Sequence, residues 1–262
     1  MKVIETAPRL CRGLFFLKVS HYTILMPKLI IANWKMNPAT EGEAVELARQ
    51  SDWENVVVCP PFLFLRAVGT TLKKASLGAQ DLFWKNPTGA FTGEVSAAEL
   101  RDLGVKYVII GHSERRLNLG ETDEMIAKKL AVTVKEGLVP VLCVSEEWPE
   151  QIKVDFSQLI VAINPERFRI LIAYEPLWAI SASSEEAVPD TPEHAVEVIS
   201  GIRNLLTAMN YKFNVKFLYG GSVNWKNADR YLELKEVDGV LVGAASLIPD
   251  DIQKIANYAG EY

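Results

Sequence analysis

The chain is poor in the residues that hold small disulfide or metal proteins together. Its 262 residues include only three cysteines and three histidines. Cys11, Cys59 and Cys143 lie far apart, and neither a CxxC pair nor a histidine at ligand spacing accompanies them. This pattern argues against a disulfide framework and against a structural zinc site. It indicates a reducing compartment, so we expect a cytoplasmic protein.

Three further deficits exclude broad classes of function. No apolar run reaches the roughly 18 residues of a membrane helix. The net charge is −5, so no general basic field favours nucleic acid or an anionic membrane. The dinucleotide fingerprint Gly-x-Gly-x-x-Gly is also missing. An anionic small molecule stays open as a substrate, because a local site can carry the opposite charge to the whole protein.

The first 25 residues differ in pattern from the rest of the chain. Their short apolar patch is broken by Lys18 and His21, and no small-residue cleavage site follows, so a secretory signal is a poor match. Basic residues outnumber acidic ones there, which leaves a transit peptide open. We interpret residues 1–25 as an extension, either disordered or upstream of the true start. Residues 26–262 would then form the functional domain.

From Lys28 onward, short apolar runs alternate with longer amphipathic stretches. The runs lack period-2 alternation, which is typical of parallel strands buried on both faces. The predicted strands cover residues 29–32, 56–59, 77–79, 107–110, 139–144, 170–174, 215–219 and 240–242. The clearest predicted helices cover residues 122–136 and 192–209. Eight strands alternating with about eight helices favour an α/β fold, namely a single closed (β/α)8 barrel.

Polar residues stand where these strands end. Because barrel enzymes carry their chemistry at the carboxyl ends of the strands, such residues are the candidate site. They are Asn33, Lys35, Gln80, His112, Cys143, Glu175, Ser222 after Gly220-Gly221, and Ala244 after Gly243. A cation, an imidazole and a carboxylate would thus converge on one mouth. That convergence is harder to obtain by chance than any one of the three.

Glu175 is the most informative of these candidates, because it follows a predicted buried strand and precedes Pro176. Proline cannot continue the strand ladder, so the carboxylate sits where strand becomes loop. A carboxylate at the rim of an apolar wall is a candidate general base. The alternative is a glutamate that caps a nearby helix or pairs with a surface lysine.

The other candidates also have two interpretations. Lys35 is either a solvated loop lysine or an ammonium that holds phosphate or polarises a carbonyl oxygen. His112 either bonds a backbone carbonyl or, if a helix begins at Ser113, faces its free N–H groups as a neutral imidazole. A neutral ring can donate a hydrogen bond to an enediolate oxygen. Glu114 and Arg115 are expected to form ion pairs or an intersubunit contact.

The two glycine segments are weak signals when taken singly. The segment 220–222 reads Gly-Gly-Ser and is compatible with an ordinary turn. Together with Gly243-Ala244 at the start of a final short helix, it offers several backbone N–H groups to an anion. The loops after strands 7 and 8 are the usual phosphate seat of a (β/α)8 barrel.

Several of these segments resemble the triosephosphate isomerase family. The matching stretches are Ala-Asn-Trp-Lys-Met-Asn at 32–37, Gly-His-Ser-Glu-Arg-Arg at 111–116, Ala-Tyr-Glu-Pro at 173–176, Tyr-Gly-Gly-Ser-Val at 219–223 and Asp-Gly-Val-Leu-Val-Gly at 238–243. The resemblance covers essentially all of residues 26–262. It implies the interconversion of dihydroxyacetone phosphate and D-glyceraldehyde 3-phosphate in glycolysis and gluconeogenesis. It implies no metal and no cofactor.

The resemblance also implies roles for individual residues. Glu175 would be the base and His112 the neutral electrophile, a pairing already described for this family. Lys35 and Asn33 would contact the substrate and its developing oxyanion. Ser222, Gly243 and Ala244 would bind the phosphate. We also expect Glu114 and Cys143 to support the site.

The chain departs from the family pattern in the lid that follows Glu175. The family usually reads Trp-Ala-Ile-Gly-Thr-Gly, whereas residues 178–183 read Trp-Ala-Ile-Ser-Ala-Ser, and the segment up to Asp190 is longer. Serine and alanine adopt positive φ at a cost of roughly 1–2 kcal/mol. We therefore expect altered lid closure, with the Ser181 N–H still able to bind phosphate. A second departure is the stretch 145–169, which looks shorter than usual and has Ser145 where glycine is common.

The segment 89–94 resembles the loop by which this family inserts a threonine into the neighbouring subunit. We therefore expect at least a homodimer, with Thr92 beside the partner's Lys35 and the partner's Asn33. The alternative is an ordinary loop on the barrel rim, and a tetramer stays open.

Two other functions stay open as well: a non-catalytic phosphate-binding scaffold, and an isomerase of larger phosphosugars.

Overall fold

The computed structural model describes residues 27–85, 87–157, 169–179, 189–211 and 214–260. Within these ranges the strands form one closed, all-parallel barrel in chain order. The strands are β1 (Leu29–Asn33), β2 (Val56–Cys59), β3 (Ser76–Ala79), β4 (Tyr107–Ile110), β5 (Val139–Val144), β6 (Arg169–Tyr174), β7 (Asn214–Tyr219) and β8 (Gly239–Val242). Pairing of β1 with both β2 and β8 closes the ring, and Ile30 is in register with Val56 on one side and Val240 on the other.

The helices of the described ranges connect successive strands. They are α1 (Glu41–Gln50), α2 (Leu65–Thr71), α3 (Ala97–Asp102), α4 (Ser113–Leu119), α5 (Asp123–Lys135), α6 (Trp148–Ser157), α7 (Pro192–Ala208), α8 (Ala228–Leu232) and α9 (Pro249–Ala259). Short 3-10 helices cover Phe62–Phe64, Leu177–Ala179 and Ala244–Leu247. None of the described helices is long and apolar enough to cross a membrane.

Local sequence signals explain where several helices begin. Thr40 and Glu43 form a capping box at α1, in which each side chain binds the other residue's backbone N–H. The hydroxyl of Thr122 accepts the Met125 N–H at the start of α5. Thr191 caps α7, and the following proline occupies the first helical position, where a missing N–H costs nothing.

The core has two parts, as a filled barrel requires. Side chains that point inward form one cluster: Ile31, Val57, Cys59, Ile109, Val141, Cys143, Leu171, Ala173, Leu218 and Leu241. Side chains that point outward pack against the helices and form the larger cluster. Because both faces of each strand are buried, the strands have no polar face, which is why the sequence shows continuous apolar runs.

The structure confirms the predicted (β/α)8 barrel and all eight predicted strands. Three strands match their predicted bounds, and the other five differ by one residue at one end. The two clearest helices, predicted at 122–136 and 192–209, begin and end within one residue of prediction. The extension 1–25, most of the lid (180–188) and part of the short stretch 145–169 (158–168) lie outside the described residues.

Closure of the barrel depends on a glycine at the start of β8. A Cβ atom built on Gly239 would lie 2.0 Å from the Leu29 carbonyl oxygen and 2.9 Å from the Leu29 nitrogen. These are backbone atoms of the paired strand, so no side-chain rotation can relieve the contact. Only a glycine therefore lets β1 and β8 approach closely enough to pair.

We predict that Gly239→Ala destabilises the fold by roughly 3 kcal/mol or more, since the β1–β8 seam must open to admit the methyl group. Gly42→Ala is the matched control, because a Cβ there meets nothing within 4 Å. It lies in α1 and should stabilise the protein by up to about 1 kcal/mol. Urea unfolding of the three proteins measures both changes. A Gly239→Ala variant as stable as the wild type would contradict this account of closure.

Candidate active site

A cavity of about 320 Å³ opens at the carboxyl ends of the strands. Its wall includes residues that follow β1, β4, β6, β7 and β8. The polar and glycine members are Asn33, Lys35, His112, Glu175, Gly220, Ser222, Asn224 and Gly243, and Ala244 lies beside them. The structure therefore brings together the cation, imidazole and carboxylate that the sequence placed at one mouth.

His112 is held by the start of α4, for which it is the N-cap residue. The backbone N–H of Glu114 donates to Nδ1 of the imidazole over 3.2 Å. An Nδ1 that accepts a hydrogen bond carries no proton, so a neutral ring carries its proton on Nε2. That nitrogen lies 3.3 Å from Oε1 of Glu175. The Nε2–H of a neutral ring therefore points towards Glu175, which also lines the cavity.

Glu175 is only 2% exposed and is held from two directions. Its own N–H donates to the Val144 carbonyl over 2.8 Å, and its Oε2 accepts the Ser113 N–H over 3.2 Å. The carboxylate therefore does cap a nearby helix, as one interpretation of the sequence proposed. It also lines the cavity beside His112, as the other interpretation requires. The first backbone N–H groups of α4 consequently hold both side chains at once.

Lys35 has a left-handed backbone, with φ of 54°. Its N–H donates to Oδ1 of Asn33 over 3.0 Å, and its carbonyl accepts a hydrogen bond from Gln80 over 2.7 Å. Such a conformation costs a non-glycine residue about 1 kcal/mol or more and is often found at functional sites. The Nζ atom lies 2.6 Å from Oε1 of Glu114, which confirms the ion pair expected for that glutamate. Both side chains are partly exposed, so the ammonium stays accessible from the cavity.

The loops after β7 and β8 form the part of the cavity wall next to Glu175 and Lys35. A Cβ on Gly220 would lie 2.9 Å from Cγ of Glu175, and one on Gly243 would lie 3.3 Å from Cε of Lys35. Glycine at these positions leaves room for both functional side chains. The 3-10 helix that starts at Ala244 begins at this wall, together with Ser222. Helix starts favour anions because their N–H groups point outward.

Cys143 lies in the barrel interior and is 1% exposed. Burial, and then the nearby carboxylate of Glu175, raise the pKa of its thiol well above the ordinary value. A thiol that does not ionise is a poor nucleophile and behaves as a small apolar side chain. Its contribution in this structure is therefore packing beneath Glu175.

A buried ionic network behind the site was missed by sequence reasoning. Lys129 bonds both carboxylate oxygens of Asp81 and also Glu121, and Arg115 pairs with the same two acids. This confirms the ion pairing expected of Arg115. Burial raises the pKa of Asp81 to about 6, against the opposing effect of Lys129. The sequence does contain one sign of this network: Lys129 lies three residues after Ile126 in α5, on the apolar face of the helix, so its side chain has to be buried.

Arg116 ties together the ends of two strands. Its Nε donates to the carbonyl of Gly111, directly before His112, over 2.8 Å, and an Nη lies 3.4 Å from the Cys143 carbonyl. It also pairs with Asp123. Asp155 of α6 lies farther off, with a carboxylate oxygen 3.9 Å from the guanidinium.

Asp155 is an unusual acid because it is fully buried and accepts no hydrogen bond from the described residues. Burial raises its pKa to about 8, although the positive charge of Arg116 opposes the shift. The negative charges of Asp123 and Glu124 act in the same direction as burial. No feature of the sequence distinguished it from a solvated helix aspartate.

Two predicted site residues lie away from the described cavity. Ser181 lies outside the described residues. Thr92 lies on an exposed loop between β3 and α3, next to Gly93 at φ of 90°. Among the described residues, no group of histidine, cysteine, aspartate and glutamate has the arrangement of a metal site.

Fold and site together define the class of protein: a (β/α)8-barrel enzyme with a carboxylate, an imidazole and a cation around one cavity. Comparison with known proteins narrows the class. The family model for triosephosphate isomerase matches residues 28–259. The chain is 39% identical over 248 residues to the triosephosphate isomerase of Aquifex aeolicus, which covers 88% of this chain and 98% of that protein.

Other relatives agree. The triosephosphate isomerase of Synechocystis is 40% identical over 252 residues, covering 89% of this chain and 99% of that protein. That of Gloeothece citriformis is 39% identical, covering 89% of this chain and all of that protein. The chain belongs to the triosephosphate isomerase family.

We predict that Asp155→Asn stabilises the protein by a few kcal/mol at neutral pH. The folded pKa of about 8 lies above the ordinary value of 3.8. Between these values the folded state keeps a proton that the unfolded state releases, so wild-type stability falls as the pH rises. The advantage of the variant should therefore grow from about pH 4 to about pH 8 and then level off.

Urea unfolding at a series of pH values measures this difference. Asp102→Asn is the control, because Asp102 is an exposed aspartate at the end of α3. A stability difference between Asp155→Asn and the wild type that does not change with pH would contradict the prediction.

Proposed function

We propose that this chain interconverts dihydroxyacetone phosphate and D-glyceraldehyde 3-phosphate, the isomerisation that its family implies, with Glu175 as the proton-transferring base. The supporting observation is the 3.3 Å contact between Nε2 of His112 and Oε1 of Glu175 at the cavity wall. It sets a base and an oxygen polariser side by side, which is what proton transfer between adjacent carbons requires.

In this mechanism Glu175 removes a proton from the carbon next to the carbonyl group. The electrons move onto the carbonyl oxygen and give an enediolate. The Nε2–H of His112 and the ammonium of Lys35 stabilise that oxygen, and Asn33 positions Lys35 through its side-chain oxygen. A proton then passes from the hydroxyl group of the first carbon to the former carbonyl oxygen, so that the first carbon becomes the new carbonyl carbon. The protonated Glu175 delivers its proton to the second carbon. Electrons and protons balance within the substrate, so the reaction consumes no cofactor and needs no metal.

The substrate phosphate would bind at the loops after β7 and β8. Ser222, Gly243 and Ala244 line that part of the cavity, and the proposed contribution of Ser181 comes from the segment after Glu175. Lys35 adds a positive charge at the same wall, although Glu114 offsets part of it. A local positive region of this kind allows an acidic protein to bind an anion.

We also propose that the active form is a cytoplasmic homodimer. Large apolar side chains are exposed in the segments after β1, β2, β3 and β4, where the loop of Thr92 also lies. They are Met36 (93%), Leu63 (85%), Phe91 (41%), Leu117 (66%) and Leu119 (64%). Several exposed large apolar side chains at one end of a barrel are typical of a protein interface. In that interface Thr92 would lie beside the partner's Lys35.

The functional unit in this proposal is residues 26–262, and residues 1–25 are an extension. The family model, which begins at residue 28, is consistent with that boundary. The extension is not required by any step of the mechanism.

We predict that Glu175→Gln lowers kcat for glyceraldehyde 3-phosphate by several powers of ten, because the amide cannot accept the substrate proton. The assay couples product formation to NADH oxidation through glycerol-3-phosphate dehydrogenase. Glu197→Gln, on the exposed side of α7, is the matched control and should retain full activity. Equal, low turnover in wild type and Glu175→Gln would refute the isomerase and favour a phosphate-binding scaffold.

We predict that the wild type sediments as a homodimer or a larger assembly, and that Thr92→Arg shifts it towards monomers with lower kcat. The bulky cation would be placed against the partner's Lys35. Analytical ultracentrifugation, read beside the coupled assay, measures both effects. A stable wild-type monomer with full activity would refute the assembly proposal and leave the chemistry intact.

A further inference from the structure

The turn that carries Glu175 is bonded on both sides to the segment that follows β5. The N–H of Glu175 donates to the Val144 carbonyl over 2.8 Å. Two residues later, the N–H of Leu177 donates to a carboxylate oxygen of Glu146 over 2.6 Å. Pro176 stands between them and has no N–H. Both N–H groups that flank the proline are therefore held by residues 144–146.

The middle residue of that segment is fixed by a side chain from the next helix. The Ser145 N–H donates to Oε1 of Gln151 over 2.9 Å, and Nε2 of Gln151 donates back to the Ser145 hydroxyl over 3.0 Å. The hydroxyl also accepts the Glu147 N–H over 3.4 Å. Ser145 and Gln151 are 6% and 3% exposed, so water competes little for these bonds.

We propose that Gln151 and Ser145 form a positioning pair for the proposed isomerase: they fix the main chain at residues 144–146, which holds the turn of Glu175 through Val144 and Glu146. Gln151 does not line the described cavity and acts only through other residues. The inference rests on the proposed function, since it concerns the placement of the proposed base.

The pair matters because Ser145 lies between Val144 and Glu146, the two residues that bond the turn of Glu175. If the main chain shifts there, the Val144 carbonyl and the Glu146 carboxylate move together, and both bonds to the turn are strained. A small displacement of a reacting group by a distant change can lower turnover by up to about a hundredfold. Among the described residues, the hydrogen bonds of Ser145 and Gln151 do not reach the loops after β7 and β8, where Ser222, Gly243 and Ala244 lie. The phosphate contacts of those three residues should therefore be unaffected, and KM should change little.

We predict that Gln151→Met lowers kcat roughly tenfold and leaves KM within about twofold of the wild type. Methionine keeps the length of the side chain and fills its space but makes neither hydrogen bond. Ser145→Ala removes only the hydroxyl half of the pair and should lower kcat less. Gln50→Ala is the matched control, because it removes a glutamine–glutamate bond on the exposed face of α1 and should not change kcat.

A double-mutant cycle separates positioning from general loss of stability. If Gln151 acts through Glu146, the effects of Gln151→Met and Glu146→Ala on kcat overlap, and the double variant turns over about as fast as Glu146→Ala alone. Thermal unfolding shows that each variant is folded at the assay temperature.

The possible results are distinct. Reduced kcat, unchanged KM and overlapping effects support the positioning pair. Gln151→Met turnover equal to that of Gln50→Ala, or fully multiplicative effects in the cycle, overturns it. A wild type without isomerase activity instead refutes the proposed function, and urea unfolding of Gln151→Met then shows only what the pair contributes to stability.

Discussion

The site depends on closure of the barrel, and closure depends on one close approach between backbones. β1 and β8 pair only because Gly239 places no Cβ against the Leu29 carbonyl. Once that seam is shut, all parallel strands direct their carboxyl ends to one mouth. Residues from opposite ends of the chain, such as Lys35 and Gly243, then share a cavity wall. No local contact could bring them together, so the chemistry is a consequence of topology.

Within that mouth, the first turn of α4 holds the carboxylate and the imidazole. Two successive N–H groups are used: Ser113 donates to the carboxylate of Glu175, and Glu114 donates to the imidazole of His112. Every helix leaves its first N–H groups without internal partners, and here those groups select the acceptor form of one ring nitrogen and orient a carboxylate. The side chain of Glu114 adds a second task, since it fixes the ammonium of Lys35.

The sequence predicts the part of this arrangement that follows from strand position. Apolar runs without alternation locate parallel strands, and the first residues after each run lie near the mouth, so His112 and Glu175 could be found without coordinates. Asp155 could not, because its environment is created by packing between helices, and Lys129 is marked only by its place on the apolar face of α5. Gln151 was equally hidden. Its partner lies six residues earlier, a spacing outside the usual capping box, so no local motif marks it.

If Glu175 is the base, as proposed, its main chain has to be held in place. Its carboxylate accepts the Ser113 N–H in this structure, and in the proposed mechanism the same group also has to accept a proton from the substrate. A side chain that exchanges partners in each cycle cannot be positioned by those partners. The main chain of the turn has its own bonds: the Glu175 N–H donates to the Val144 carbonyl, and the Leu177 N–H donates to the Glu146 carboxylate. In the proposed mechanism, placement of Glu175 therefore falls to residues 144–146, and we expect the position of that segment to matter more for proton transfer than the polar contacts of the carboxylate itself.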